Sequence, residues 1–227
     1  GDYIFNMDLT GRIIPAVLDS IKLMDHNAVF CRILLSGTLY AQPFTQTITI
    51  YAEKPVIDLE NRINWLGGRF VRLEQAFPFV SDENAKIRYG VPFGQVEYPE
   101  TIYKNGLSFK DVVTPERGNN PDHAIEQIRM VSKWTHIGDS RSGVSIGTDH
   151  RMWEFDRNTI SNCMLRGIGQ CSGAIRKESD GTSTGIMRPP VGEYTFHYRI
   201  ISENTNKIPD GRVGWELNTP LYTVGAG

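Results

Sequence analysis

Hydrophobic and polar residues alternate with a period of two over much of this chain, and the period of 3.6 that marks an amphipathic helix is nearly absent. In VIDLENRINW, Ile57, Leu59, Ile63 and Trp65 fall on one face and Asp58, Glu60, Arg62 and Asn64 on the other, the pattern of a half-buried antiparallel strand. FTQTITIY sets Phe44, Ile48 and Ile50 opposite Thr45, Thr47, Thr49 and Tyr51, residue types that suit a pleated surface. FVRLEQAFPF turns Val71, Leu73, Phe77 and Phe79 inward. Its Arg72 and Glu74 remain on the polar side, where they are expected to pair with Glu60 or Arg62 across strands joined by a Leu66-Gly67-Gly68 turn. Further strands are predicted over 29–39, 86–91, 129–136, 143–147, 152–155, 159–166, 193–201 and 212–217. Many strands at short spacing, punctuated by Gly, Pro, Asn and Asp, predict an all-β sandwich or barrel.

Two stretches lack the alternation. Residues 101–123, which include TPERGNNPDH, read as a long loop, and long loops in compact domains often carry function. Residues 177–188 read as a second loop. A short helix over 122–130 would gather Ala124, Ile125, Ile128 and Met130 on one face. With no internal repeat and no linker-like tract, the 227 residues are expected to form one domain, 1–227.

Composition narrows the function classes. A formal charge of -2 with both signs scattered leaves no basic stripe to neutralise phosphates, so nucleic acid is not an expected partner. No apolar run approaches eighteen residues and no charged-then-apolar leader is present, so neither a membrane span nor a signal peptide is read. The Gly1-Asp2 start without Met reads as the scar of an excised fragment, whose targeting signal would lie outside it. Cys31, Cys163 and Cys171 are expected to be free thiols, a Cys163–Cys171 hairpin bridge being the alternative. No Cys/His quartet for structural zinc is present. The absence of an Asn-x-Ser/Thr sequon agrees better with a bacterial source, cytoplasmic or periplasmic, than with a secreted eukaryotic one.

Residues capable of chemistry are few. Asp58, Glu60 and Arg62 share a face, although alternating charges on such a strand usually mark a solvated or interface surface. Trp65, Trp134, Trp153 and Trp215 could each stack on a sugar ring. Trp65 and Trp134 sit in alternating apolar patterns and read as core, while Trp153, following Asp149-His150-Arg151 near a turn, is the better binding candidate, although core or edge packing is the favoured reading for it as well. His197, between Phe196 and Tyr198, reads as a hydrogen-bonded structural histidine. Gly167, Gly169 and Gly173 in RGIGQCSG are not followed by a helix or a GKS/GKT string, so no nucleotide loop is read.

Three strand-like segments over 45–100 lead into VPFGQVEYPE, and KWTHIGDSRSGVSIGTDHRMWEFD, RPPVGEYTFHYRI and GWELNTPLYTV follow in order. This ordered set resembles the C-terminal β-domain of the family 38 glycoside hydrolases, the α-mannosidases. The resemblance implies an all-β, large antiparallel supersandwich of the galactose mutarotase-like kind with few or no helices, cut from the C-terminal part of a multidomain enzyme. It implies a non-catalytic domain that supports an upstream catalytic domain, with mannosides as the carbohydrate involved. Family enzymes are retaining, with an Asp nucleophile and a zinc site of His and Asp ligands that includes a His-x-Asp pair. None of His26, His123, His136, His150 and His197 is followed two residues on by Asp. Zinc or a similar divalent metal is therefore expected in the missing catalytic domain, with no cofactor, metal ligand or catalytic residue in this stretch. Gln95, Glu97 and Tyr98, after the Pro92-Phe93-Gly94 turn, are placed near substrate or at an interface, together with Trp153 and His150. Where the family usually carries Arg-Pro, this chain has Tyr98-Pro99, which removes a cation from that point. The alternatives are a stand-alone carbohydrate-binding module, and an aldose-epimerase-like enzyme that would have to bring His150, His197 and Glu97 together.

Overall fold

The computed structural model describes residues 14–67, 71–79, 85–98, 128–156, 159–167, 189–203 and 211–219. Their elements are β1 (Val17–His26), β2 (Phe30–Leu39), β3 (Gln42–Tyr51), β4 (Val56–Trp65), β5 (Val71–Pro78), β6 (Lys86–Val91), β7 (Gly94–Tyr98), β8 (Ile128–Met130), β9 (Trp134–Gly138), β10 (Gly143–Thr148), β11 (Met152–Asp156), β12 (Thr159–Gly167), β13 (Gly192–Glu203) and one short helix, α1 (Arg212–Asn218). The described elements are antiparallel strands with one short helix, the all-β class that the alternation and the resemblance led us to expect. Among the described residues no helix is long and apolar enough to cross a membrane. The predicted loops at 101–123 and 177–188 lie outside the described residues.

The chain divides into two compact units, Gly1–Gln75 with Cys163–His197 and Ala76–Asn162 with Tyr198–Gly227. In the first, β1, β2, β3 and β4 are antiparallel neighbours in sequence order. Residues directly opposite across a ladder share a face. One row therefore runs Ile21, Leu35, Gln46, Asn61 and the next runs Leu23, Ile33, Ile48, Leu59. The opposite face carries Thr45, Thr47 and Thr49 against Arg62, Glu60 and Asp58. On the apolar face Leu59, Ile63 and Trp65 of β4 are buried. A hydrogen-bonded amide cluster closes it: Gln46 Nε2 reaches Asn61 Oδ1 at 2.7 Å, and Asn61 Nδ2 reaches Gln75 Oε1 of β5 at 3.0 Å. Asn61 Nδ2 also contacts Met164 Sδ of β12 at 3.6 Å. Trp65 is anchored by its indole N–H on the Pro189 carbonyl at 3.2 Å.

In the second unit β10, β9, β6 and β7 are successive antiparallel neighbours, and β10 also pairs with the C-terminal half of β13. β11 pairs with β8 on one side and with the start of β12 on the other. Its core is aromatic: Phe77, Trp153, Tyr198, Tyr89 and Phe155 meet ring to ring at centroid separations of 5.3–6.3 Å. Helix α1 lies on β10 where the strand has a glycine; a Cβ at Gly147 would stand 2.6 Å from the Val213 carbonyl oxygen.

Several expectations are corrected. Residues 212–217 form α1 and not a strand. Val213, Trp215 and Leu217 mimic a period of two, but the buried residues are Val213 and Gly214, and Thr219 N–H closes the helix on the Trp215 carbonyl. So short a pattern cannot separate the two periods, and docking against Lys133 and Gly147 decides. The strand predicted over 129–136 is broken into β8 and β9 at Lys133, whose φ of 70° is left-handed. The helix proposed over 122–130 fails at its end, where 128–130 is β8; the remainder lies outside the described residues. β4 and β5 belong to different sheets, so Leu66-Gly67-Gly68 is not a hairpin turn of one ladder. Arg62 instead pairs with Glu60 along its own strand at 2.7 Å, and Arg72 with Glu74. β1 and β7 were not anticipated. β1 slips register between Leu18 and Ser20 and again between Leu23 and Asp25, which erases the alternation from its sequence. Cys31 and Cys163 are free thiols, as expected; Cys171 lies outside the described residues.

Candidate functional site

Gln95, Glu97 and Tyr98 sit on β7, after a two-residue turn in which Phe93 adopts a left-handed φ of 67° and projects fully into solvent. Period-two geometry separates them: Gln95 and Glu97 share one face of the sheet and Tyr98 takes the other. Tyr98 packs edge-on against Phe155 at 5.3 Å, with the Arg129 guanidinium 5.0 Å from its ring centre. Glu97 is held by two cations, Lys86 Nζ at 3.0 Å from Oε1 and Arg88 Nη2 at 3.1 Å from Oε2. Hydrogen bonding to Lys86, the largest cause, and then to Arg88 holds its carboxyl below the usual range against the opposing effect of partial burial. A carboxylate so held stays ionised at neutral pH, which suits an ion pair better than a proton donor.

The register extends this pair into a row not foreseen from sequence. Glu97 faces Arg88, Arg88 faces His136 and His136 faces Ser145, on four adjacent strands β7, β6, β9 and β10. His136 Nδ1 lies 3.0 Å from Ser145 Oγ, and both side chains are buried. Burial first, and the Arg88 charge second, lower the His136 pKa to about 4, so its imidazole is neutral at pH 7. The signal was available as polar residues of matching parity in KIRYG, WTHIG and GVSIG, but only pairing aligns them. A buried imidazole next to a buried hydroxyl is a satisfied polar pair inside the sheet.

The other candidates have separate settings. His150 Nδ1 is 2.7 Å from Asp149 Oδ1, and its carbonyl accepts the Trp153 indole N–H at 3.0 Å. Trp153 is 0% exposed, so it serves as core, the reading favoured for it over a sugar platform. In the first unit His197 Nε2 lies 3.7 Å from Glu60, and the Tyr51 hydroxyl donates to Asp58 at 2.9 Å, so the Asp58, Glu60 and Arg62 face is a network of polar pairs. Trp134 is buried, with Gly90 and Gly211 against its indole. Trp215 is the exposed tryptophan among the described residues, at 56%, with Lys133 Nζ 3.4 Å from its ring centre. Among the described residues no group of three His, Cys, Asp or Glu side chains could hold a metal ion.

Comparison with known proteins complements this geometry. The family model for the glycosyl hydrolases family 38 C-terminal domain matches residues 1–152. An α-mannosidase from Enterococcus faecalis V583 superposes with a TM-score of 0.57 at 15% identity, over 84% of this chain and 22% of that one. A second structure from Enterococcus faecalis, a protein in glycosyl hydrolase family 38, gives 0.58 at 15% identity over 84% and 23%. The chain thus spans less than a quarter of the length of either structure. No curated protein matches it.

Proposed function

Because the chain belongs to the glycosyl hydrolases family 38 C-terminal domain family, we propose that it is the non-catalytic β-domain of a retaining α-mannosidase-type enzyme, acting as scaffold for an upstream catalytic domain and contributing at most one wall of its sugar site. The family match over residues 1–152 carries this reading. The side chains support it: Glu97 is locked between two cations, and His136 and Ser145 are buried. In the parent, a terminal α-mannosyl linkage would be hydrolysed with retention, which needs a nucleophile and an acid close together across the glycosidic bond. Zinc or a similar divalent metal belongs to that reading only outside these residues, since the described ones offer it no group of ligands. This chain's part is to bury surface against the catalytic domain and hold it in position.

The test is hydrolysis of a chromogenic α-mannoside by the 227-residue chain and by a longer polypeptide that carries an upstream catalytic region. Turnover confined to the longer polypeptide is expected, and turnover by the 227-residue chain would overturn the reading. Trp215 favours a second reading, carbohydrate binding by the isolated chain, because an exposed indole offers a face to a pyranose. Titration with oligomannosides while following tryptophan fluorescence checks it. Saturable quenching that Trp215→Ala abolishes would support binding, and an unchanged spectrum would dismiss it.

A further inference from the structure

Among the described residues β1 is an edge strand of the first unit, and its side chains are sorted by two β-bulges. Strict alternation from Leu18 would align Ser20, Lys22 and Met24 with it. The register slips instead bring Ile21 and Leu23 onto the face of Leu18, opposite Leu35 and Ile33, and send Lys22 to the other side, where Asp25 also lies. There Asp25 meets Arg32 at 3.2 Å. Bulges that segregate side chains this way are built features of a strand and not irregularities.

Among the described residues the resulting apolar face is covered at only one end. Gln75 of β5 and Met164 of β12 close over Asn61 of β4, where Leu59 and Ile63 are buried. Ile48, Ile33 and Leu35 are intermediate, and at the far end Leu18, Ile21 and Leu23 are 49%, 66% and 60% exposed. Large contiguous apolar surface is costly to leave in water and marks an interaction surface. The edge of β1 that no described strand pairs with is, by contrast, blunted against strand addition by its bulges and by Asp19, Lys22 and Asp25. The cover must therefore approach the face and not the edge.

We propose that the β1–β3 face carrying Leu18, Ile21 and Leu23 is an intramolecular interface, covered by an apolar surface of the longer polypeptide to which this domain belongs. The proposal rests on the reading of the chain as one domain of a larger hydrolase. In the two matched structures, chain accounting for more than three quarters of each protein accompanies this fold, and the face lacks the charges that a polar partner would need.

Cysteine accessibility tests it. With Cys31, Cys163 and Cys171 changed to Ser, Ile21→Cys and Leu23→Cys report on the face, and Lys22→Cys reports on the opposite side of the same strand. Circular dichroism verifies that each variant folds. In the 227-residue chain all three should react freely with a maleimide. In the longer polypeptide Ile21→Cys and Leu23→Cys should react at least about tenfold more slowly while Lys22→Cys is unchanged. Equal rates in both settings would overturn the proposal. So would protection in the 227-residue chain that grows with concentration and accompanies a dimer in sedimentation velocity, since the occupant would then be a second copy. Hydrolysis of α-mannoside in the same preparations separates the two readings: an active, unprotected enzyme defeats the interface alone, and a protected, inactive one defeats the functional reading alone.

Discussion

His136 stands directly opposite Arg88 in the β6–β9 ladder, with its Nδ1 3.0 Å from Ser145 Oγ on the next strand. Burial discourages a charge on the imidazole, and the Arg88 guanidinium discourages a second positive charge further, so the folded chain keeps this histidine neutral down to a pH of about 4.

The unfolded chain protonates the same side chain near pH 6.5. Between those values the unfolded state binds a proton that the folded state refuses, so stability falls as pH drops from 6.5 towards 4, by roughly 3 kcal/mol from this group. His136→Gln should flatten that limb. Urea unfolding at pH 7, 5.5 and 4.5 checks it, and an equally steep acid limb in the variant would place the titration elsewhere.

Trp153 fills the aromatic core against Phe77 and Tyr198 with none of its surface exposed. Trp153→Ala should cost about 3–5 kcal/mol, as large aromatic truncations do. Denaturant midpoints measure it; a loss below about 1 kcal/mol would contradict full burial.

Asn61 and Gln75 bridge β4 and β5 at 3.0 Å, and Gln46 joins them at 2.7 Å from Asn61 and 3.0 Å from Gln75. Asn61→Leu removes one member and takes from Gln46 Nε2 and Gln75 Oε1 their bonds to it, leaving the 3.0 Å bond between the two glutamines. A cost of about 1–3 kcal/mol is expected. Adding Gln46→Leu and Gln75→Leu should recover part of it, because a fully apolar set leaves no buried amide unsatisfied. Chemical denaturation of the single and triple variants provides the comparison.

Gly147→Ala would drive a methyl group to 2.6 Å from the Val213 carbonyl oxygen, a backbone atom that cannot swing aside. The helix must lift, at a cost of about 1–3 kcal/mol. Because Trp215 on that helix lies under Lys133, its fluorescence should shift in the variant, and an unchanged spectrum would show that α1 tolerates the methyl group.

Much of the fold was legible because burial on one side of a pleated strand writes itself into sequence as a period of two. The face of β4 that holds Leu59, Ile63 and Trp65, and the bounds of β6 at 86–91, follow from that rule alone. The rule fails where the backbone departs from regular pleating or where an element is short. The bulges of β1 hide a ten-residue strand, Lys133 interrupts a run that reads as continuous, and seven residues of α1 imitate a strand.

Sequence by itself determined the all-β class, the family and the inward set of β4, since these depend on local alternation and on the order of segments along the chain. Tertiary structure alone decided which strands are neighbours. It separated β4 from β5, lined Glu97, Arg88, His136 and Ser145 across four strands, buried Trp153 and exposed Trp215. Pairing register and packing are relations between distant segments, and no period within one segment encodes its partner on the next strand.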